Sequence, residues 1–551
     1  MIFLPVLAVV CEKSIIFAGE TQNANLMRRK NKLLLMAAAL LLTGCAGRTT
    51  NNGEQPADSV ATELTMEELM LPDTSYASAE AVKYIVENED SLAHPLKDFD
   101  DRYERANGVF AFRKNLLRNA SYGGKVKGTP KEIEIAWEFS TDYDTTHTKF
   151  GTWGGGSGWT GQPLYVNWTD EQLKDLKRSP GLTADFGREE IIVGSLCGKA
   201  YFINYQTGRA SRQPLDLGNV VKGTVSLDPE YYNLYVGQGV PRKPGPFGCQ
   251  VFDLLKHERT FFFGPDAKAW RSWNAFDSSP IVAGGYLFWP GENCSFYKYE
   301  RSQGQLKRVS VMRYRVKGAA PGIESSLCVY RNYGFFGDNH GDIICVNLNT
   351  MRPVWYYDNH DDTDGTIVCR EENGTPYIYT ACEVDKQGGS GFCHMVKLNA
   401  LNGQRVWEQK IACQRLNLSE KTLDGGMYCT PLLGSGDCEG LLFTHINRNG
   451  ASKTVGELTA IDTSDGHVVY TVPYGQFAWS SPVAFHNEKN EMFVFAGDAS
   501  GILRIVRGKT GEVVCKKTIG TNFESSPVVV GNTAVVGCRG RMIYKFVIRP
   551  S

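Results

Sequence analysis

Residues 480–511 read SSPVAFHNEKNEMFVFAGDASGILRIVRGKTG. The stretch opens on Ser480-Ser481-Pro482, reaches a glycine turn at Ala496-Gly497 and closes at Thr510-Gly511, with short apolar runs between. Runs of that length bounded by Gly and Pro read as strands. The same order recurs along the chain. Ser278-Ser279-Pro280, Ser325-Ser326 and Ser525-Ser526-Pro527 begin further copies, and Val193-Gly194, Phe336-Gly337 and Val536-Gly537 mark the turn after the second strand. A third strand alternates, as in Ala200-Tyr201-Phe202-Ile203 and Ile343-Ile344-Cys345-Val346, and a fourth is marked by Trp355 or Trp407.

Spacing turns this order into an architecture. The turn glycines Gly208 and Gly304 lie 96 residues apart, two periods of 48 around an eroded copy near residues 251–263. From Gly304 it is 48 residues to Arg352 in the degenerate turn Met351-Arg352, then 51 to Gly403, 63 to Gly466 and 45 to Gly511. Four strands in such a period make one propeller blade. The first strands are led by Gln162, Thr224, Ser278, Ser325, Thr366, Thr430, Ser480 and Ser525, which makes eight copies. The last copy stops at Ile548 after its third strand, whereas Ile135-Ala136-Trp137-Glu138 matches the fourth-strand sequence Arg405-Val406-Trp407-Glu408. The expected fold is therefore all-β: an eight-bladed β-propeller of four-stranded antiparallel blades, closed by an N-terminal strand over residues 132–139 that removes two exposed edges.

Composition agrees. The 551 residues include 58 glycines and 52 Phe and Tyr, as many short strands and turns require. The formal charge is −1, and because residues 1–44 carry +3 the rest carries −4, which gives no basic surface for a nucleic-acid partner.

A Ser-Ser-Pro lead, a glycine turn, an alternating strand, Thr-Gly and Trp together resemble the pyrroloquinoline-quinone-type, or quinoprotein-like, propeller repeat. That repeat is shared by quinoprotein alcohol dehydrogenases and by the BamB family of barrel-assembly lipoproteins. The resemblance covers about residues 110–548. Phe112-Arg113-Lys114-Asn115 followed by Arg118 also resembles the family's Phe-Arg-Gly-Asn lead-in, with Lys114 in the glycine's place. In the dehydrogenases the resemblance implies a cofactor held between a tryptophan floor and a disulfide of adjacent cysteines, with calcium or a lanthanide on Glu, Asn and Asp. This sequence has no Cys-Cys pair, so no cofactor is expected and pyrroloquinoline quinone is disfavoured.

The N-terminus carries a separate signal. Met27 is followed by Arg28, Arg29, Lys30 and Lys32, an apolar run over residues 33–42, and Leu42-Thr43-Gly44-Cys45. Basic residues, a short apolar stretch and a small-residue site form an export signal too short to span a bilayer. Leu-Thr-Gly-Cys resembles a bacterial lipobox, which would make Cys45 the lipidated first mature residue. Residues 1–44 are thus expected to be a lipoprotein signal peptide, with Met27 as the working start. Residues 45–105 are expected to be a flexible tether, polar from 46 to about 73, with a short helix over 78–92 in which Ala81, Val82, Ile85 and Val86 share a face. Residues 106–551 are expected to form the propeller.

Chemistry is harder to find. Thirteen cysteines after Cys45 are scattered singly and read as small buried residues, although Cys382 with Cys393, or Cys429 with Cys438, would bridge if they faced one another. The run from Asp358 to Asp364 offers oxygen ligands for calcium without a recognised loop spacing, and reads as a solvated inter-blade loop; no metal ligand set is assigned. No Ser-His-Asp, HExxH, P-loop or paired-carboxylate arrangement is located, so an enzyme reading rests on fold analogy alone. The glycine-rich loop from Trp153 through Trp159 to Gln162 leads into the first inner strand and can present flat aromatic surfaces at the channel mouth. Trp153, Trp159, Gln162, Tyr428 and Trp479 are the candidate ligand or partner residues. The leading expectation is an exported, membrane-anchored interaction scaffold on the periplasmic side of a bacterial envelope, resembling the barrel-assembly lipoproteins. Its partners would be other envelope proteins or a glycan. The alternatives are a sugar or small-ligand binding propeller and a divergent quinone-dependent oxidoreductase.

Overall fold

The structure is a computed structural model that describes residues 81–88, 99–120, 123–242, 245, 247–418, 421–451 and 454–550. The leader, Cys45 and the polar tether lie outside them. Within them the chain is an eight-bladed propeller of mainly four-stranded antiparallel sheets. The copy quoted first is blade 7, built from Val483–His486, Met492–Gly497, Ile502–Arg507 and Val513–Thr518 in order from the channel outward. Blade 1 uses Leu164–Asn167, Glu189–Gly194, Lys199–Asn204 and Leu215–Asp216, with Gly108–Val109 added on the channel side.

Blade 8 closes the ring as the sequence predicts. Val528–Val530, Thr533–Gly537 and Met542–Pro550 supply its first three strands, and Pro130–Ser140 the fourth, with Ile133 opposite Ile548 and Phe139 opposite Ile543. Both edges that an open array would expose are thereby paired.

Two inter-blade devices explain the repeat's sequence. The first is a string of hydrogen bonds around the channel at the start of the inner strands. Gln162 N–H donates to Thr224 Oγ1 (2.8 Å), Thr224 N–H to Ser279 Oγ (3.1 Å), Ser279 N–H to Ser326 Oγ (2.9 Å) and Ser326 N–H to Thr366 Oγ1 (3.0 Å). Thr430 N–H likewise donates to Ser481 Oγ (3.0 Å) and Ser481 N–H to Ser526 Oγ (3.2 Å). These backbone groups lie at the channel wall beyond their own sheet's ladder and must be satisfied when buried. A short hydroxyl from the next blade does this without filling the channel.

The second device joins the outer parts of neighbouring blades. Trp137, Trp355 and Trp407 each follow a register shift in a fourth strand and lie against the turn glycine of the next blade. A Cβ on Gly208, Gly403 or Gly466 would sit 2.6 to 2.7 Å from the ring, and each glycine has φ between 70° and 82°. The indole N–H groups donate to Tyr205 O, Ala400 O and Thr463 O, each at 2.9 Å. The Thr-Gly and Trp landmarks are thus two halves of one contact in adjacent blades. In the degenerate turn, Met351 takes the same conformation at φ 58°.

The segment expected to be a helix is a strand over Val82–Asn88, with Ala81 the helical residue among those described. Val82–Asn88 pairs antiparallel with Gln305–Val316 and makes blade 3 five-stranded. Its true period is two: Val82, Tyr84 and Val86 face the blade, while Lys83 and Ile85 face out, Ile85 being 43% exposed. Phe99 and Tyr103, at the end of the expected tether, are buried on the same blade, where the Tyr103 hydroxyl accepts from Val282 N–H at 3.1 Å.

The cysteines pack as the sequence predicts. All thirteen described are free thiols and all but Cys515 are buried. Neither candidate bridge forms: Cys382 Sγ accepts from His394 N–H, and Cys429 Sγ bonds with Thr444 Oγ1.

Because Trp137 joins blade 8 to blade 1, Trp137→Ala should cost about 3–5 kcal/mol, as for other buried aromatics. Ile135→Ala on the same strand, 37% exposed, should cost under about 1 kcal/mol. Urea unfolding of both variants checks this; equal losses would mean the seam does not depend on the tryptophan.

Candidate functional site at the channel mouth

One end of the channel is plugged. Residues 110–119 cross it, taking bonds from three inner strands: Leu227 N–H to Phe110 O, Val329 N–H to Leu116 O and Cys369 N–H to Leu117 O. Arg118, fully buried, donates to Leu327 O, Phe112 O and Ser279 O at 2.8, 2.5 and 3.2 Å, and Arg113 donates to Thr430 O at 2.9 Å. Burial pulls both guanidinium pKa values down to about 10, which leaves them charged at neutral pH and held by carbonyl dipoles. Lys114 stands at φ 66°, a conformation that glycine adopts freely, which accounts for the family's glycine at this place.

The plug's Phe112 floors a cavity at the other end of the inner strands. Its wall follows a simple rule. Side chains alternate along an extended segment, so the residue two before each ring residue points to the mouth. Going round, these are Thr160, Lys222, Asp277, Glu324, Asp364, Tyr428, Trp479 and Glu524. The residue between is always small: Gly161, Gly223, Ser278, Ser325, Gly365, Cys429, Ser480 and Ser525. Among the mouth-pointing residues Glu524 is the exception, paired with Arg539 at 3.6 Å and outside the cavity lining, so the mouth carries three carboxylates, one ammonium and an aromatic side.

On that aromatic side, Trp479 stacks on Tyr428 (centroids 5.0 Å apart), meets Trp159 edge-on at 5.2 Å and packs on Phe477 at 4.9 Å. Trp159 and Thr160 both hold positive φ, 52° and 62°. Such strain in non-glycine residues persists only where surrounding structure enforces it; here Thr160 N–H bonds to Glu524 O at 3.0 Å. On the acidic side, the Lys222 ammonium pairs with Asp277, lies 4.0 Å from Glu324 and sits 4.5 Å above the Trp159 ring. Glu292 stands behind, with Oε2 accepting from Trp273 Nε1 at 2.9 Å. Burial raises the Asp277 pKa against the pull of Lys222, and raises that of Glu292 well above the carboxylate range, with Glu324 and Asp277 adding to the push.

The candidates named from sequence divide. Trp159, Tyr428 and Trp479 meet at the mouth. Gln162 belongs to the ring: its Oε1 accepts from Arg113 N–H at 3.0 Å and its Nε2 donates to Pro527 O at 2.7 Å, which locks plug to blade 8. Trp153 packs away from the mouth among Leu196, Val220 and Val240, beneath the Arg539 guanidinium. The acidic half was missed, although Asp277 and Glu324 each directly precede a serine pair. In the acidic run, Asp358 pairs with Lys317 (2.6 Å) and Asp361 accepts from Asp385 N–H and Lys386 N–H. Asp362, Asp364 and Glu383 bring one oxygen each within 4.8 Å of the others, a hard-ligand set of the kind calcium takes.

Solved structures share this fold at low identity. The chain is similar to quinohemoprotein alcohol dehydrogenase ADHIIG from Pseudomonas putida HK5, at 12% identity over 82% of this chain and 81% of that one, TM-score 0.55. Quinohemoprotein alcohol dehydrogenase from Comamonas testosteroni matches at 13% identity over 81% of each chain, TM-score 0.55. BamB from Moraxella catarrhalis matches at 13% over 67% of this chain and 95% of that one, TM-score 0.44. No family profile matches the sequence. No curated protein does either. The chain thus shares the β-propeller fold of the two quinohemoprotein alcohol dehydrogenases.

The quinone cofactor that the resemblance implies does not fit this mouth. The cavity is about 30 Å³, room for one or two water-sized groups. No cysteine lines it, and a tricarboxylate would face Asp277, Glu324 and Asp364.

His445 ties the aromatic side to the blade behind it. Its Nδ1–H donates to Ser480 O at 2.8 Å and its Nε2 accepts from the Tyr474 hydroxyl at 3.3 Å. Burial lowers its pKa to about 4. An unfolded histidine titrates near 6.5, so the unfolded chain binds the proton first and stability falls as pH drops from about 6.5 to 4, by about 3 kcal/mol from this residue. His445→Gln should flatten that part of the stability profile in urea unfolding; an unchanged slope would mean His445 is not kept neutral.

Proposed function

We propose that the protein is a binding propeller of the bacterial cell envelope, anchored through Cys45, whose channel mouth receives a cationic group, a protonated amine or guanidinium, presented by an envelope protein partner. The observation that carries this is the mouth itself: the carboxylates of Asp277, Glu324 and Asp364 and an aromatic wall around a single ammonium, that of Lys222. Carboxylates with indole faces recognise organic cations by charge and by cation–π attraction. Lys222 fills the site as an internal ligand would, and a partner's lysine or arginine competes with it. The cavity suits such a head group and not a planar cofactor, which supports binding over quinone-dependent oxidation. The basic stretch, apolar run and Leu-Thr-Gly-Cys at residues 28–45 support export and lipidation. Among the described residues no helix is long and apolar enough to cross a membrane.

Chemical rescue tests the mouth. Lys222→Ala should lower Tm by leaving Asp277 unpaired, and methylammonium should restore it while sodium at equal ionic strength should not. In the unmodified protein, an acetyl-lysine-methylamide titration should change tryptophan fluorescence where the glutamine analogue does not. Equal responses to methylammonium and sodium, or to the two amides, would contradict a cation-selective mouth.

The anchor is tested separately. Cys45→Ser should leave an exported protein that a high-salt wash releases from membranes; retention after the wash would mean that lipidation is not what holds it.

A further inference from the structure

Blade 5 carries a cluster that neither the fold nor the mouth uses. His394 lies on its third strand, Ser390–Asn399, and Glu408 on its fourth, Arg405–Gln414. The register sets His394 opposite Lys410 and Val396 opposite Glu408, which makes His394 and Glu408 diagonal neighbours on one face. His360 reaches the same face from the loop that follows the outer strand of blade 4, Arg352–Asp358, in a left-handed conformation at φ 72°. Its N–H bonds to Asp358 Oδ1 at 2.9 Å, which fixes the loop.

The three side chains converge. His394 Nδ1 is 2.6 Å from Glu408 Oε1, His360 Nε2 is 3.8 Å from the same oxygen, and the two imidazole rings have centroids 4.2 Å apart. One ligand atom from each lies within 4.8 Å of the others. Ligand atoms around a zinc ion at about 2.0–2.2 Å stand somewhat closer together than this. A small movement of His360, whose side chain is 47% exposed, closes the set, while His394 and Glu408 are held at 8% and 11%.

Arg405 Nη1 holds the other Glu408 oxygen, Oε2, at 2.6 Å, which orients the carboxylate and leaves Oε1 toward the histidines. A carboxylate oriented by a second hydrogen bond is a usual support of metal sites. The positive charges of Arg405 and Lys410 also weaken cation binding, so the site is not one that fills with any ion.

We propose that His360, His394 and Glu408 bind one divalent transition-metal ion of zinc type, with three protein ligands and at least one position open to solvent. Two imidazoles and one carboxylate select this class over calcium, which takes oxygen ligands. The open position faces outward, where water or a group from a second molecule completes the coordination.

The test uses untagged, chelator-treated mature chain titrated with cobalt(II), followed by zinc. The expected result is one visible-absorbing cobalt per chain, displaced by zinc, with no thiolate-to-cobalt charge-transfer band. His360→Ala, at an exposed position, should weaken binding by more than about tenfold and leave Tm of the metal-free protein unchanged; His394→Gln should do the same to affinity. Arg405→Gln should tighten binding severalfold by removing a neighbouring positive charge. A thiolate band, binding unaffected by His360→Ala, or binding lost instead with His467→Ala, whose side chain lies near Asp462 and Asp465, would each overturn the assignment.

Discussion

The structure depends on one repeated contact, made at six of the eight junctions, in which a backbone N–H at the start of an inner strand donates to a serine or threonine hydroxyl of the next blade. Each such bond contributes only about 1 kcal/mol net, yet leaving a buried N–H without a partner costs about 1–3 kcal/mol. The contact therefore acts mainly as a constraint: a blade that shifts along its neighbour breaks it at once. At the junction of blades 8 and 1 the pattern changes. Gln162 has no hydroxyl, and Ser526 N–H and Ser525 Oγ both donate to Gly161 O instead. The Gln162 side chain is freed to tie the plug to Pro527. This departure from the hydroxyl rule falls where the ends of the chain must be joined.

The same constraint produces the mouth. Once the ring residues are fixed, the alternation of an extended chain places the residue two earlier at the channel opening, and the crowded seam permits only a small residue between. Chemistry at the mouth can then vary freely in a frame that does not. Here it has become acidic on blades 3, 4 and 5, aromatic on 6 and 7, and cationic at Lys222. Trp159 joins the aromatic side from the glycine-rich loop, and its positive φ is the cost of that reach.

Most of the fold was legible because its two inter-blade devices are written in short side chains. Ser-Ser-Pro marks the ring, and Thr-Gly with Trp marks the outer contact. Where Thr224 and Thr366 replace the serine pair, the blade survives because a threonine hydroxyl accepts equally well. Residues 82–88 were misread because Ile85 is apolar but faces outward, which blurs a period of two into a helical spacing. The aromatic half of the site could be named from isolated tryptophans and a tyrosine. Its acidic half could not, because single carboxylates in loops are common and only the ring shows that Asp277, Glu324 and Asp364 face one space. Trp153 belongs to the same glycine-rich loop as Trp159, yet it packs under Arg539, since the chain bends at Gly156 (φ 71°) between them and turns again at Trp159 and Thr160.

Amide hydrogen exchange of Ser279→Ala tests the ring directly. The substitution removes the hydroxyl that accepts Thr224 N–H and leaves every strand ladder intact. The account expects the Thr224 amide to lose its protection, and the amides of Ser279 and Ser326 and the mouth segments beside them to exchange faster with it, while the outer strands of blades 2 and 3 keep theirs. Loss of protection confined to Thr224, with the rest of the ring unchanged, would show that the hydroxyl contacts act singly and that the blades are held in register by other means.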